Sequence, residues 1–191
     1  LIRPRFGYLV GKRGSIFAEP SYFTEARANG TRLQTNRTHI NGLVIGGDIA
    51  GRVNARWRMF GGRQVYDQTF SAVDALRVSE VLNRIQRVPV QNIGGSFHLN
   101  AAVGRHTIVA GFDARNVRGE SDETAYSMGT PSAITNSGGR QTTFGVYLQD
   151  ILTVGKRAVL IGGVRFDKWS NYRGSSTTST LATNQTAATV F

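Results

Sequence analysis

The stretch GVYLQDILTVGKRAVLIGGVRFDKW, residues 145–169, holds two runs of about ten residues on either side of a tight Val154-Gly155-Lys156-Arg157 joint, and apolar and polar side chains alternate in each run. A period of two is the mark of a β-strand with unlike faces, and a glycine in the joint supplies the positive φ that a tight hairpin needs. The stretch therefore reads as an antiparallel hairpin. What its apolar face meets decides the fold class: in a soluble sheet that face is a core, whereas in a membrane barrel it meets lipid and the polar face lines a lumen.

The same grammar extends in both directions. Short glycine-and-basic joints recur at Gly11-Lys12-Arg13-Gly14, Ala50-Gly51-Arg52 and Ala102-Val103-Gly104-Arg105, each between strand-like runs. Eight strands are expected, at about 2–9, 15–26, 38–49, 53–70, 87–100, 105–117, 140–152 and 158–170. Longer segments rich in Gly, Ser, Thr, Asn and charge lie near 27–37, 71–86, 118–139 and 172–191 and read as loops. Short joints and long loops then alternate strictly, as periplasmic turns and extracellular loops do in outer-membrane barrels. Only residues 74–86, with Leu76, Val78, Val81, Leu82 and Ile85, have the spacing of a short helical turn.

Side-chain parity points the same way. In 105–117, Ile108, Ala110, Phe112 and Ala114 oppose Thr107, Gly111, Asp113 and Arg115; in 158–170, Leu160, Val164 and Phe166 oppose Arg165 and Asp167. The run 53–70 is less tidy, because Trp57 and Met59 share one parity and Phe60, Tyr66 and Phe70 the other; a bulge at Gly61-Gly62 would restore the phase. The apolar faces are thin and the polar faces carry full charges, which favours lipid outside and a wet lumen inside. The expected fold is thus all-β, an antiparallel transmembrane β-barrel of about eight strands with short turns alternating with long loops, in one domain.

Composition bounds the rest. No stretch of eighteen apolar residues occurs, so no spanning helix is expected, and the slightly negative mean hydropathy is compatible with a barrel. Lys and Arg exceed Asp and Glu by 23 to 12, yet the arginines are spread over strands and turns, with no basic run of five and no zinc-finger, RNP1 or GXXG signature, so nucleic acid is not an expected partner. There is no cysteine, and His39, His98 and His106 are scattered, which leaves no transition-metal motif. The acidic run Gly119-Glu120-Ser121-Asp122-Glu123 lacks the ligand spacing of a calcium loop. With no G-x-S-x-G elbow, P-loop or dinucleotide fingerprint, neither an enzyme nor a cofactor is expected.

Two sets of residues stand out. Arg56, Arg58, Asp113, Arg115, Arg165 and Asp167 fall on the parity assigned to the lumen, where they would either contact a ligand or plug or pair across strands to hold the wall. Trp57, Tyr66, Trp169 and Tyr172 are candidates for the aromatic girdles at the membrane interfaces.

Taken in order, several segments resemble the barrel of TonB-dependent outer-membrane receptors: HTIVAGFDARNVRGES (106–121), FGVYLQD (144–150), LIGGVRFDKWSNYRG (160–174), and upstream FTEARANGTRLQTNRT (23–38) and FGGRQVYDQTFSAV (60–73). The resemblance implies a bacterial outer-membrane location, contact with membrane lipid, a larger barrel occluded by a plug domain, coupling to an inner-membrane TonB-type complex, and uptake of a scarce nutrient such as a siderophore, cobalamin or glycan. No plug-like segment or TonB box is recognisable and the expected strands are few, so the chain reads as an internal piece of such a barrel. A stand-alone eight-stranded outer-membrane barrel with a structural or adhesion role, and a soluble β-sheet binding module, are the alternatives.

Overall fold

In the computed structural model, which describes residues 1–191, every regular element is a β-strand. Nine strands follow one another: β1 (Phe6–Val10), β2 (Gly14–Ala28), β3 (Thr35–Ile49), β4 (Val53–Val73), β5 (Glu80–Val103), β6 (His106–Ser127), β7 (Thr130–Val154), β8 (Ala158–Thr180) and β9 (Gln185–Val190). Each pairs antiparallel with its neighbours in sequence, so sheet order equals chain order and β1 and β9 are free edges. The chain is therefore an open meander and not a closed eight-stranded barrel. Gly11, Gly104 and Gly155 turn the short joints with φ of 61°, 62° and 63°, a conformation that costs glycine little.

The sheet is a single layer. Val65 is its only buried apolar residue, and Phe112, Phe144 and Phe166 remain 46%, 43% and 61% exposed. A soluble domain covers the apolar face of a sheet with a second layer, and this one has none. Lipid is the medium such a face fits, which answers the question posed by residues 145–169.

The register fixes the two faces, because directly paired residues point the same way. Tyr8, Ile16, Gly47, Trp57, Phe97, Phe112, Val146 and Phe166 form one apolar row running from β1 to β8. Within it the Phe97 and Phe112 rings are 5.9 Å apart, and Trp57 covers Gly47, where a Cβ would lie 2.5 Å from the indole Nε1. On β6 and β7 the outward residues stay apolar from Ile108 to Ala114 and from Leu152 to Phe144, apart from Asp150, which pairs with His106. A spanning strand needs about 9–11 residues. Strands β4 to β8 run to 21–25 residues, so they project far beyond the membrane at the end away from the short turns.

That projection corrects the expected loops. Segment 118–139 is strand except for the turn at Met128-Gly129; 27–37 contracts to a connection at 29–34 and 71–86 to one at 74–79; and 172–191 contains the end of β8 and all of β9. Outside the membrane both faces meet water, so the alternation that marks a strand vanishes while the backbone ladder continues. Hydroxyl pairs reinforce it, Thr135 with Thr178 at 2.9 Å and Ser137 with Ser176 at 2.8 Å.

Two local expectations also fail. Residues 80–86 begin β5 and are not helical. The register slips there, Phe70 facing Arg84 but Ser71 facing Leu82, so Asn83 is an extra residue. It puts Leu82 and Ile85 on the same face, and that spacing of three imitates a helix. At Gly61-Gly62, by contrast, pairing to Leu43 and Gly42 on one side and to Ile93 and Asn92 on the other is unbroken. Phe60, Tyr66 and Phe70 do point to the charged face, and Phe60 fills the space over Gly94, where a Cβ would lie 2.5 Å from the ring.

Candidate functional site: the charged lumenal wall

The face opposite the apolar rows gathers the charges. Its first row runs Ser15, Asp48, Arg56, His98, Gly111, Tyr147, Arg165 across β2 to β8, and the next runs Phe17, Gly46, Arg58, Ser96, Asp113, Gly145, Asp167. A third carries Glu19, Val44, Phe60, Gly94, Arg115, Thr143 and Trp169. Arg56, Arg58, Asp113, Arg115, Arg165 and Asp167 thus share one face.

Five of these six are tied into ion pairs. Asp48, a residue the parity reading did not single out, accepts from Arg56 Nε at 2.7 Å and from Arg58 at 3.0 Å. Arg58 also donates to the carbonyls of Gly47 and Trp57, and its guanidinium lies 4.8 Å from the centre of the Phe17 ring. Arg5 stacks on the same ring at 3.7 Å and, like Arg3, pairs with Glu19. Farther along, Arg165 bridges Asp167 and Asp113, the latter at 2.9 Å, and lies over Tyr147, whose hydroxyl hydrogen-bonds His98 Nδ1. Small residues make room for these groups: at Gly145 a side chain would collide with Arg165 and Asp167.

Arg115 is the exception. It is exposed, and no carboxylate lies within 4 Å of it. Two strands away on the same row, about 10 Å by strand spacing, Trp169 is 70% exposed. Tyr66 shares this face as well, farther from the short turns. Outward-looking girdle positions therefore do not include Tyr66 or Trp169. Trp57 is outward but lies within the apolar band, and only Tyr172 stands outward at its edge, its hydroxyl accepting from Asn116 Nδ2 at 2.9 Å and sharing a hydrogen bond with Thr142 Oγ1 at 3.2 Å. Parity alone separates these aromatics, since Tyr66 alternates in step with Arg56 and Arg58 and Trp169 with Arg165 and Asp167, whereas Trp57 and Tyr172 fall on the opposite parity.

A second polar centre was invisible in the sequence. Near the projecting end, Glu80 accepts the Leu33 amide at 3.1 Å and the Ser71 hydroxyl, while Gln34 donates to the Ser71 carbonyl at 3.3 Å. This latch joins the connections 29–34 and 74–79. The Ser71 hydroxyl, with help from Thr31 and the Leu33 amide, holds the Glu80 carboxyl below its ordinary range. The acidic run 119–123 converges on nothing: Glu120 pairs with Arg118 on the outer face, and Glu123 pairs with Arg84 on the inner one.

A one-layer meander with lipid-facing apolar rows, a charged inner face and long strands projecting from one end is the wall of an outer-membrane β-barrel. More particularly, the chain belongs to the TonB-dependent receptor family, whose model for the TonB dependent receptor-like β-barrel matches residues 3–190. Its place is accordingly the outer membrane of Gram-negative bacteria, in a family of receptors and not of enzymes. Among solved structures it is similar to the ferric yersiniabactin uptake receptor FyuA of Yersinia pestis, at 13% identity and a TM-score of 0.72, over 95% of this chain and 31% of that one. The chain thus spans about a third of that receptor's length, and the likeness is one of fold. The outer membrane protease OmpT of Escherichia coli is a looser match, at 10% identity and a TM-score of 0.46 over 98% of this chain and 76% of that one, too loose to define a fold. No curated protein sequence matches the chain.

Proposed function

We propose that this chain is barrel wall of a receptor that takes up a scarce, anionic nutrient complex of the ferric-siderophore kind, with a plug domain against its inner face and energy relayed by a TonB-type complex. The family supports energy-coupled uptake. The observation that favours an anionic cargo is the inner face itself, where arginines outnumber carboxylates and Arg115 is left unpaired in the same row as an exposed Trp169. A guanidinium offers forked donors to an anionic oxygen and an indole offers a stacking surface. A cobalamin or a glycan would use the tryptophan and the neighbouring amides but has no need of the free charge. The ion-paired arginines then hold the wall, and Arg115 and Trp169 meet cargo or plug.

The test is uptake of labelled ferric chelates by cells in which the protein is the only candidate receptor. Transport of an anionic chelate should require TonB and fall at least tenfold in Arg115→Glu, while Arg165→Lys, which keeps a charge for Asp113 and Asp167, should change it little. Uptake that is TonB-independent, or that is indifferent to Arg115→Glu, would refute the proposal.

A further inference from the structure

The outer face changes character where the apolar band ends. One row crosses the sheet there as Tyr22, Asn41, Arg63, Gln91, Arg118, Arg140 and Tyr172, on β2 to β8. Arg118 and Arg140 are direct cross-strand partners, a placement that like charges destabilise. Arg118 is partly offset by Glu120, its neighbour along the strand. Neither Arg63 nor Arg140 has a carboxylate within 4 Å, and neither has Arg173, which lines a cavity of about 380 Å³ together with Arg118, Arg140 and the carboxylates Glu120 and Asp122. Arg63, Gln91, Arg118 and Arg140 line a second cavity of about 390 Å³ that has Ile93 and Asn116 at its membrane side.

The second row beyond it on the same face behaves differently. Arg37, Asp67, Arg87, Asp122 alternate in sign along it, and Arg87 pairs with Asp67 at 3.0 Å. There each arginine sits directly across from a carboxylate, whereas Arg63, Arg118 and Arg140 face only Asn41, Gln91, one another and Tyr172. At about 3.4 Å per residue and a strand tilt near 40°, Arg118 lies ~30 Å above the level of His106, which is the thickness of a hydrocarbon core. The side chains of this row emerge at the depth of the outer-leaflet headgroups, and Tyr22 and Tyr172 at its ends suit the same level.

We propose that Arg63, Arg118, Arg140 and Arg173 form a seat for the phosphate groups of a phosphorylated lipid of the outer leaflet. Forked guanidinium donors match phosphate oxygens, and a phosphate between Arg118 and Arg140 relieves their mutual repulsion. Arg63 lies two strands from Arg118, about 10 Å, so the spacing suits a headgroup with more than one phosphate. The acyl chains of such a lipid would lie against Ile93 and the apolar rows below it. Arg115 and the inner face take no part, so this seat stands or falls independently of any cargo.

The test is lipid retention by the protein purified from outer membranes. After exchange into lipid-free detergent, the protein should keep phosphorylated outer-leaflet lipid, measured by mass spectrometry. Arg63→Ser/Arg140→Ser should reduce that retention at least fivefold, and Arg87→Ser, in the neutralised row, should leave it unchanged. Both variants should keep the heat-dependent gel mobility of a folded barrel; if the double variant does not, Arg140→Lys is used, which keeps the charge but loses the fork and should still halve retention. Inorganic phosphate at millimolar concentration should not displace the lipid. Retention unaltered in a folded Arg63→Ser/Arg140→Ser variant, or a seat emptied by inorganic phosphate alone, would overturn the proposal.

Discussion

Placing arginine at Phe112 tests the inside and outside of the wall most directly. Phe112 is about six residues along β6 from His106, ~20 Å at ~3.4 Å per residue, and a tilt near 40° leaves ~15 Å of depth, the middle of a hydrocarbon core ~30 Å thick. Arginine on the lipid face at the midplane costs ~2–4 kcal/mol, or about 30-fold to 1000-fold in the ratio of folded to unfolded protein. Asn116→Arg, on the same face but about 10 Å nearer the surface, should cost ~0–1 kcal/mol. Asp113→Asn reverses the face without changing the depth. Its bond with Arg165 joins side chains that are 41% and 44% exposed, a pairing worth at most ~1 kcal/mol, and Arg165 keeps Asp167. The costs should therefore run high at 112 and low at 113 and 116, read as denaturant midpoints of the purified protein in phospholipid vesicles. A larger cost at 113 than at 112, or equal costs at 112 and 116, would refute the assignment of faces.

The Glu80 latch should respond to acid. Its folded-state pKa is depressed below the ordinary 4.5, so its ordering contribution is fully present above that value and is lost as pH falls through the lower, folded one. Protection of the Leu33 amide against deuterium exchange, taken relative to its intrinsic rate at each pH, should fall as pH drops below about 4.5, and Glu80→Gln should give low protection that no longer depends on this titration; high protection in the variant would show that the latch does not order the connections. Gly94→Leu should destabilise the barrel by ~1–3 kcal/mol through overpacking, since its Cβ would lie 2.5 Å from Phe60 and 2.7 Å from the Ala114 carbonyl. Phe60→Ala in the same chain should recover part of that loss, and an absence of coupling in the double-mutant cycle would show that the ring does not occupy the gap.

What the sequence disclosed follows the membrane. Within the bilayer the two faces of each strand meet different media, so Ile108 to Arg115 and Leu160 to Asp167 alternate visibly, and the register gathers each parity set on one face of the sheet. Above the bilayer Ser121, Asn136, Ser137 and Ser176 meet water on both sides; nothing selects for alternation, and strands such as 118–127 and 172–180 look like loops although their backbone ladder is intact. The single extra residue Asn83 then suffices to make a strand resemble a helix. The charged wall was half legible for a related reason. Parity collects Arg56, Arg58, Asp113, Arg115, Arg165 and Asp167 on one face, but only the register between strands reveals that Asp48 serves both Arg56 and Arg58, that Glu19 answers Arg3 and Arg5, and that Arg115 is left over. The same holds outside: Arg63, Arg118 and Arg140 are separated by tens of residues in the chain and become neighbours only because β4 to β7 pair in register. Charges scattered evenly along a β-meander are thus uninformative one strand at a time, and their meaning lies in the transverse rows. In this chain those rows separate arginines that are neutralised within the sheet from arginines that await something outside it.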